Sequence, residues 1–401
     1  MQSKNPKRHS IFNNVFFVGL LSFFGGISQD IFVPIFPLYL ANIIGLDKSF
    51  IGLTEGLVTA SASIFKIVSG YLSDKFQRNK PIVFVGYFLS FISRPLLAFF
   101  TSGAAILSLR GLDGIGKGIK DSPKDALIAG STETHNRGRG FGIARMLDTL
   151  GSVVGPLFLF AILYLLQDNV LKYHYILLIS ALPLGVTLLI LIFKVREVTI
   201  PTREKKALSH TTSLPNTFWW FLGIMVFFTL GNSSDAFLIL RAQNVGLTLL
   251  AIPLVYALFN FFYASAAVPL GSLSDRIGRT KVILLGFLAY ALAYLGFGLA
   301  TAAWQIWALF AFYGIYYATT EGVAKAFIAD IIRPEYRGRA YGLYNALIGV
   351  VALPASLIAG ILWDKVSPGM PFLFGAGMAA IASIFLLLYI YTFPLVHKNT
   401  F

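Results

Sequence analysis

The segment GSLSDRIGRTK occupies residues 271–281, and a second segment of the same design, GYLSDKFQRNK, occupies residues 70–80. Each copy sets a glycine, an aspartate and several basic residues in a short polar stretch between long apolar stretches. Two copies at corresponding places predict that the chain is built from two repeats. A long polar segment, residues 195–216, lies between the copies and is expected to be the linker that joins the two halves.

The composition outside these polar segments is that of a protein that crosses a membrane many times. Of 401 residues, 56% are hydrophobic and 12% are charged, and the mean hydropathy is +0.74. Soluble proteins carry about 25% charged residues, and a membrane-spanning helix needs about 20 predominantly apolar residues. The sequence provides twelve such stretches, near residues 11–41, 50–73, 81–101, 104–129, 139–166, 173–194, 217–241, 248–272, 281–301, 304–330, 340–363 and 370–393.

The two halves also correspond outside the polar loops. GISQD at residues 26–30 corresponds to GNSSD at 231–235, and residues 124–142 correspond to residues 325–342. The sequence therefore predicts an all-α polytopic membrane protein with twelve transmembrane helices in two six-helix, pseudo-symmetric bundles. The bundles are expected at residues 1–194 and 217–401, with a cytoplasmic linker at 195–216. Repeats of this kind place a substrate site near the middle of the membrane.

Membrane orientation accounts for the net charge of +14. If the N-terminus is cytoplasmic, only Lys48, Lys172 and Lys365 fall in loops on the opposite side of the membrane. This positive-inside pattern predicts that both termini are cytoplasmic, and the charge then needs no nucleic-acid partner. We expect a multi-pass plasma membrane protein, with the bacterial inner membrane as its location.

The fourth predicted span carries an ionic stripe. Its sequence, RGLDGIGKGIKDSPKD at residues 110–125, has seven charged side chains and apolar flanks. At about 100° per residue, all seven fall on one face of a helix. They are Arg110, Asp113, Lys117, Lys120, Asp121, Lys124 and Asp125. Charges within a bilayer face protein or water and commonly mark a functional path.

Three interpretations of the stripe remain open. The cations can pair with carboxylates three or four residues away, as Arg110 can with Asp113, and then serve structure alone. Alternatively, Arg110, Lys117 and Lys120 form a wall that attracts anions. In the third interpretation one carboxylate carries a proton, because burial favours the neutral form of a carboxyl group and a neighbouring cation favours the charged form.

Charged residues in other predicted spans extend the candidate pathway. Asp30 lies in the first span among glycines and prolines that are expected to break the helix, and Asp235 is its counterpart in the seventh. Glu321 and Lys325 are the repeat counterparts of Lys120 and Lys124. The candidate substrate or proton pathway comprises Asp30, Arg110, Asp113, Lys117, Lys120, Asp121, Arg145, Asp148, Asp235, Arg241, Glu321 and Lys325. Arg94 and Glu55 are expected to form only local structural pairs.

The doubled loop resembles the signature G-x-x-x-D-[RK]-x-G-R-x-[RK] of the major facilitator superfamily, and its candidate gating residues are Gly70, Asp74, Lys75, Arg78, Gly271, Asp275, Arg276, Gly278 and Arg279. The first copy has Gln77 where the family has glycine. Arg110, Gly114 and Gly116 resemble the pattern of the family's fourth helix. Gly151, Gly155 and Pro156 resemble the fifth-helix motif associated with antiporters.

This resemblance implies a transporter rather than an enzyme. We expect a proton-coupled exporter of a small organic molecule, such as a drug, siderophore or metabolite, that works by rocker-switch alternating access. One alternative is a transporter of organic anions or phosphate esters. Another is a transporter-like receptor or lipid-translocating protein without ion coupling. The expected partners are the substrate, protons and the lipid bilayer; a monomer is expected, with no cofactor and no metal.

Overall fold

The computed structural model describes residues 6–132, 137–198 and 214–393, and this part of the chain is helical and contains no strand. The helices are α1 (Pro6–Tyr39), α2 (Lys48–Phe76), α3 (Asn79–Leu96), α4 (Gly103–Gly130), α5 (Arg137–Leu165), α6 (Lys172–Phe193), α7 (Asn216–Gly231), α8 (Ala236–Asn244), α9 (Ile252–Ile277), α10 (Arg279–Leu299), α11 (Ala303–Ile331), α12 (Arg337–Lys365) and α13 (Met370–Thr392). A π-helical turn, Leu40–Ile44, continues α1. The predicted all-helical fold is confirmed.

The break predicted in the first span occurs instead in the seventh. The first span is the continuous helix α1, whereas residues 232–235 separate α7 from α8. These residues are Asn, Ser, Ser and Asp, whose side chains compete with the helix for backbone hydrogen bonds. In the break, the amide of Ala236 donates to Ser234 Oγ at 3.3 Å. The predicted span at 217–241 is therefore two helices joined by a polar segment.

Within the described residues, nine helical segments are long and apolar enough to cross a membrane. Helix α4 is not one of them, although it has 28 residues. Its ionic stripe lowers its hydropathy, so α4 depends on neighbouring helices to satisfy its charges.

The described chain divides into two compact units. Unit 1 lies within residues 1–36 and 57–208, and unit 2 lies within residues 37–56 and 209–401. Unit 2 therefore includes the end of α1 and the start of α2 in addition to α7–α13. The predicted bundle boundaries stay a prediction, and the linker at 195–216 lies mostly outside the described residues.

In unit 1, glycines of α4 allow its backbone to approach two other helices closely. A Cβ added to Gly114 would lie 2.7 Å from the carbonyl oxygen of Val58 on α2. A Cβ added to Gly116 would lie 2.6 Å from the carbonyl oxygen of Gly86 on α3. Small residues at such positions are the usual means of close helix packing in membranes. The result is that the charged side chains of α4 lie beside α2 and α3.

Candidate functional site

Unit 1 contains a polar cavity of about 330 Å³ between α1, α3, α4 and α5. This volume is at the small end of the range for ligand pockets. The charged residues that line it are Asp30, Arg94, Lys117, Lys120, Asp121, Lys124 and Asp148. Among the described residues, no cluster of three or more His, Cys, Asp or Glu could hold a metal ion. The cavity therefore has four cations and three carboxylates with which to recognise a polar solute.

Asp113 is the buried centre of an ionic cluster next to this cavity. Its side chain is 0% exposed and lies 3.0 Å from Arg110 Nη1, 3.3 Å from Arg94 Nε and 3.4 Å from Lys117 Nζ. The guanidinium of Arg110 also lies over the rings of Phe32 and Phe36. Arg110 and Asp113 do not line the cavity. For Arg110 and Asp113, the local pairing that the helical spacing allows is thus present.

Arg94 is a cavity residue that the sequence interpretation placed in a local pair. Its guanidinium pairs instead with Asp113 on α4 and donates to Ser28 Oγ at 2.6 Å and to Gln29 Oε1 at 2.7 Å. It therefore joins α3 to α4 and α1. A cation within an otherwise apolar span was the available signal, because such a charge needs partners from other helices.

The second half of the stripe, residues 120–125, forms a second ionic group. Lys120 Nζ lies 3.1 Å from Asp121 and also lies over the ring of Tyr87. Lys66 on α2 lies 3.7 Å from the same carboxylate of Asp121. Lys124 Nζ donates to the hydroxyl of Ser22 on α1 at 2.9 Å. Lys124 thus reaches the cavity with the neutral hydroxyl of Ser22 as a hydrogen-bond partner.

Asp30 differs from the other buried carboxylates of unit 1. It is 6% exposed and lines the cavity, but it is in none of the ion pairs formed by the described residues. Its side chain is hydrogen-bonded to Ser152 on α5, and Asp148, Arg94 and Lys117 act on it electrostatically at longer range. Asp30 is therefore a buried carboxyl group on which one carboxylate and two cations act, and among the described residues it forms no ion pair with a cation.

The glycines of α5 place this helix directly against Asp30. A Cβ added to Gly155 would lie 2.9 Å from Asp30 Cβ, and one added to Gly151 would overlap the carbonyl oxygen of Phe23. Pro156 follows within the same helix. The antiporter-like glycines thus have a packing role in this structure, which brings Ser152 of α5 to Asp30 of α1.

Arg145 and Asp148 form an ion pair one helical turn apart on α5, with Nη1 and Oδ2 3.4 Å apart. Both side chains are substantially exposed, at 58% and 38%. Only Asp148 lines the cavity. Arg145 therefore lies at the margin of the candidate site.

In unit 2, the counterpart of Asp30 has aromatic rather than cationic partners. Asp235 lies at the start of α8 and accepts hydrogen bonds from Tyr313 OH at 2.9 Å and Tyr317 OH at 3.4 Å. Glu55 of α2 also acts on Asp235 electrostatically. The rings of Tyr313 and Tyr317 are 5.3 Å apart and belong to a larger aromatic cluster. That cluster also includes Phe259, Tyr263, Tyr290, Tyr294, Phe297 and Tyr316.

The other candidate residues of unit 2 do not join Asp235 in one site. Arg241 donates to the carbonyl oxygens of Phe297, Gly298 and Ala300, and so caps the end of α10. Glu321 accepts a hydrogen bond from Tyr263 at 2.6 Å and lies 3.5 Å from Lys325. The structure therefore separates a capping arginine and a local ion pair from the tyrosine-bound aspartate.

The second copy of the repeated loop forms ion pairs that tie its turn to a neighbouring helix. Arg279 lies 2.5 Å from Asp275 and 3.2 Å from Asp330 of α11. Its Nη1 also donates to Ser274 Oγ at 2.7 Å. Gly278 has φ +103°, which only glycine adopts readily. Gly271 has open space beside its Cα, and Arg276 is exposed.

The first copy of the loop forms its turn with Gln77 at the position where the family has glycine. Gln77 adopts φ +52° in the left-handed region, and its side-chain amide donates to the carbonyl oxygen of Asp74 at 2.7 Å. The carboxylate of Glu197 caps α3 by accepting from the amides of Asn79 at 3.0 Å and Lys80 at 2.9 Å. Asp74, Lys75 and Arg78 are exposed, and Gly70 lies beside Ser122 of α4.

Comparison with known proteins identifies the family. The Major Facilitator Superfamily profile matches residues 18–257 and 219–400. An uncharacterized MFS-type transporter of Methanocaldococcus jannaschii is 36% identical over 395 residues, which cover 96% of this chain and 97% of that protein. The tetracycline resistance protein, class C, of Escherichia coli is 38% identical over 122 residues, 30% of each chain.

Solved structures agree on the fold. A D-xylose-proton symporter superposes with a TM-score of 0.75 at 18% identity, over 94% of this chain and 97% of that chain. A peptide transporter of the POT family superposes with a TM-score of 0.78 at 13% identity, over 96% of this chain and 95% of that chain. The chain therefore belongs to the Major Facilitator Superfamily and is a multi-pass membrane transporter of a small-molecule substrate, not an enzyme.

Proposed function

We propose that this transporter is a proton-coupled exporter of a small organic molecule that works by alternating access. The observation that carries the proposal is the environment of Asp30. This carboxyl group is buried, lines the cavity and lies outside the described ion pairs. Burial favours the neutral form of a carboxyl group, and contacting cations favour its charged form. Asp113 has three cations in contact and Asp30 has none among the described residues. Asp30 is therefore the carboxyl group suited to gain and lose a proton.

The packing of α5 supports coupling of helix movement to Asp30, and a resemblance and a relative support export as the direction. Ser152 lies between the two glycines of the antiporter-like motif and contacts Asp30, so a movement of α5 against α1 changes the surroundings of that carboxyl group. Partial-length similarity to a tetracycline resistance protein favours the same direction. We further propose that the protein is a monomer of the bacterial inner membrane with both termini in the cytoplasm.

Proton coupling can be tested with purified protein in vesicles that contain a pH-sensitive dye. Ligands are first found by thermal stabilisation across cationic drugs, organic acids, phosphate esters and siderophores. A stabilising compound added to one side should then move protons across the membrane at a rate that depends on the protein. If compounds bind and cross the membrane while no protons move, the coupling proposal is wrong. Binding without any crossing would favour a receptor.

A second candidate function is transport of an organic anion or a phosphate ester. The specific observation in its favour is that Arg94, Lys117, Lys120 and Lys124 line one cavity, with Lys124 held by a neutral hydroxyl. Lysine ammonium groups bind phosphate and carboxylate oxygens by charge-assisted hydrogen bonds. We expect Lys124→Gln to weaken binding of acidic ligands tenfold or more, by loss of about 1.5–3 kcal/mol, and to spare neutral ligands. Equal losses for acidic and neutral ligands would contradict this candidate.

A further inference from the structure

The start of α2 is held by a carboxylate of α12. Asp364 Oδ1 accepts from the amide of Lys48 at 3.1 Å, and Oδ2 accepts from the amide of Ser49 at 2.8 Å. These are the first two residues of α2, and amides at a helix start have no acceptor within their own helix. The carboxylate also lies at the positive end of the helix dipole. One aspartate on α12 therefore binds the N-terminus of α2 in a bidentate manner.

The backbones of the two helices meet directly beside this cap. Gly52 and Gly56 form a G-x-x-x-G pattern on α2, and a Cβ added to Gly56 would lie 2.6 Å from Leu353 Cα. A Cβ added to Gly52 would overlap the carbonyl oxygen of Ser356, and one added to Gly360 would overlap that of Lys48. At each of these points a glycine of one helix faces the backbone of the other. The contact is therefore largely one of backbone against backbone.

Ser356 connects this contact to the break that carries Asp235. Its hydroxyl accepts a hydrogen bond from the amide of Ser234 at 3.2 Å, and its carbonyl oxygen faces Gly52. Ser234 immediately precedes Asp235. Ser356 therefore contacts both α2 and residues 232–235, which we call the Asp235 segment.

We propose that Asp364 is a latch that holds α2 and α12 together in one state of the transport cycle, and that Ser356 couples the latch to the Asp235 segment. This inference rests on alternating access as proposed above, which requires helices of the two repeats to separate and rejoin. Asp364 is exposed, so water can replace both of its hydrogen bonds when the latch opens. The carboxylate and the amides of Lys48 and Ser49 form the same two hydrogen bonds again when the latch closes.

Distances between spin labels test the latch directly. The chain contains no cysteine, so labels can be attached to Asp47→Cys and Val366→Cys, two exposed positions at the ends of α2 and α12. In lipid nanodiscs the otherwise unchanged protein should show mainly a short distance. Asp364→Ala should increase the population at longer distance severalfold. Asp364→Asn, which retains only one carbonyl acceptor, should give a smaller increase.

Lys365→Gln is the matched control, because it removes a charge from the adjacent exposed position but no bond to α2. An unchanged distribution in both Asp364 variants would overturn the latch, as would an equal change in Lys365→Gln. If Asp364→Ala fails to fold, Asp364→Asn decides alone. The measurement uses no substrate and no proton gradient, so failure of the coupling proposal at Asp30 leaves its result interpretable.

Hydrogen exchange tests the coupling through Ser356. Ser356→Ala removes the acceptor of the Ser234 amide, so exchange in the peptide that contains residues 231–235 should accelerate severalfold. Asp364→Ala should also accelerate exchange in this peptide, although Asp364 bonds to α2 and not to residues 231–235. Lys365→Gln should leave exchange in the peptide unchanged. Unchanged exchange in Asp364→Ala would overturn the coupling of the latch to the Asp235 segment.

Discussion

Unit 1 and unit 2 contain corresponding helices of the sequence repeat, but the side chains at corresponding positions differ. On α4 of unit 1, Asp113 and Lys117 form a buried ionic cluster with arginines. The corresponding residues on α11 of unit 2 are Gly314 and Ala318. This helix instead carries three tyrosines near these positions, Tyr313, Tyr316 and Tyr317. The ionic chemistry has thus become concentrated in the first repeat, while the second repeat has hydroxyl groups and aromatic rings.

The two equivalent aspartates show what this difference does. Asp30 lies in a continuous helix beside a cavity lined by cations, and it is free of direct ion pairs among the described residues. Asp235 lies at a helix break and accepts hydrogen bonds from Tyr313 and Tyr317. A carboxyl group in the first setting responds to the movement of nearby charges, whereas one in the second is fixed by neutral donors. Repeat symmetry therefore locates corresponding positions without giving them the same role.

The largest expected effect is on the ionic cluster of unit 1. Asp113→Asn leaves the buried Arg94 and Arg110 without their shared counter-charge, which we expect to lower the free energy of unfolding by about 3–5 kcal/mol. Denaturant unfolding in mixed micelles measures this loss. Asp121→Asn is the control, since its pair is partly exposed and should contribute at most about 1 kcal/mol. Equal losses for the two variants would contradict the structural role of Asp113.

A smaller effect is expected in the tyrosine setting of unit 2. Tyr313→Phe removes the 2.9 Å hydrogen bond to Asp235 and should cost about 1.5–3 kcal/mol, the range for hydrogen bonds to charged groups. Tyr317→Phe removes a bond of 3.4 Å and should cost less. The same unfolding assay ranks the two variants. A larger loss for Tyr317→Phe would mean that the observed geometry does not describe how Asp235 is held.

The smallest effect distinguishes the two copies of the repeated loop. Gly278→Ala places a side chain at φ +103° and should cost about 1–3 kcal/mol. Gln77→Gly relieves left-handed strain of about 1–2 kcal/mol but loses the bond to the Asp74 carbonyl and adds backbone freedom, so the net change should be near zero. Thermal unfolding of both variants checks this asymmetry. A marked stabilisation by Gln77→Gly would show that the first loop is strained overall.

Much of the fold could be predicted from the sequence because membrane spans depend on local composition. The expected fourth span at 104–129 and the observed α4, Gly103–Gly130, nearly coincide. The break in the seventh span was not predicted, because the polar run at 232–235 contains no glycine or proline to mark it. Helix α1 continues through Pro34, whereas the helix is interrupted at residues 232–235, where Ser234 Oγ accepts a hydrogen bond from a backbone amide.

The candidate site could be predicted only where residues of one helix interact. The spacing of Arg110 and Asp113 allowed their pair, and that of Arg145 and Asp148 allowed theirs. The pairing of Arg94 with Asp113 joins two helices, and the placement of Arg241 at the end of α10 joins two others. Helical spacing carries no information on such contacts, because they depend on how helices pack.

Gradient-driven transport by Asp30→Asn tests most directly whether the first repeat holds the proton site. Protein in proteoliposomes is supplied with a stabilising compound, and both uptake driven by a pH gradient and exchange without a gradient are measured. We expect Asp30→Asn to lose gradient-driven transport while exchange persists, and the equivalent Asp235→Asn to retain coupling because its partners are neutral hydroxyls. Fully coupled transport by Asp30→Asn would contradict the account.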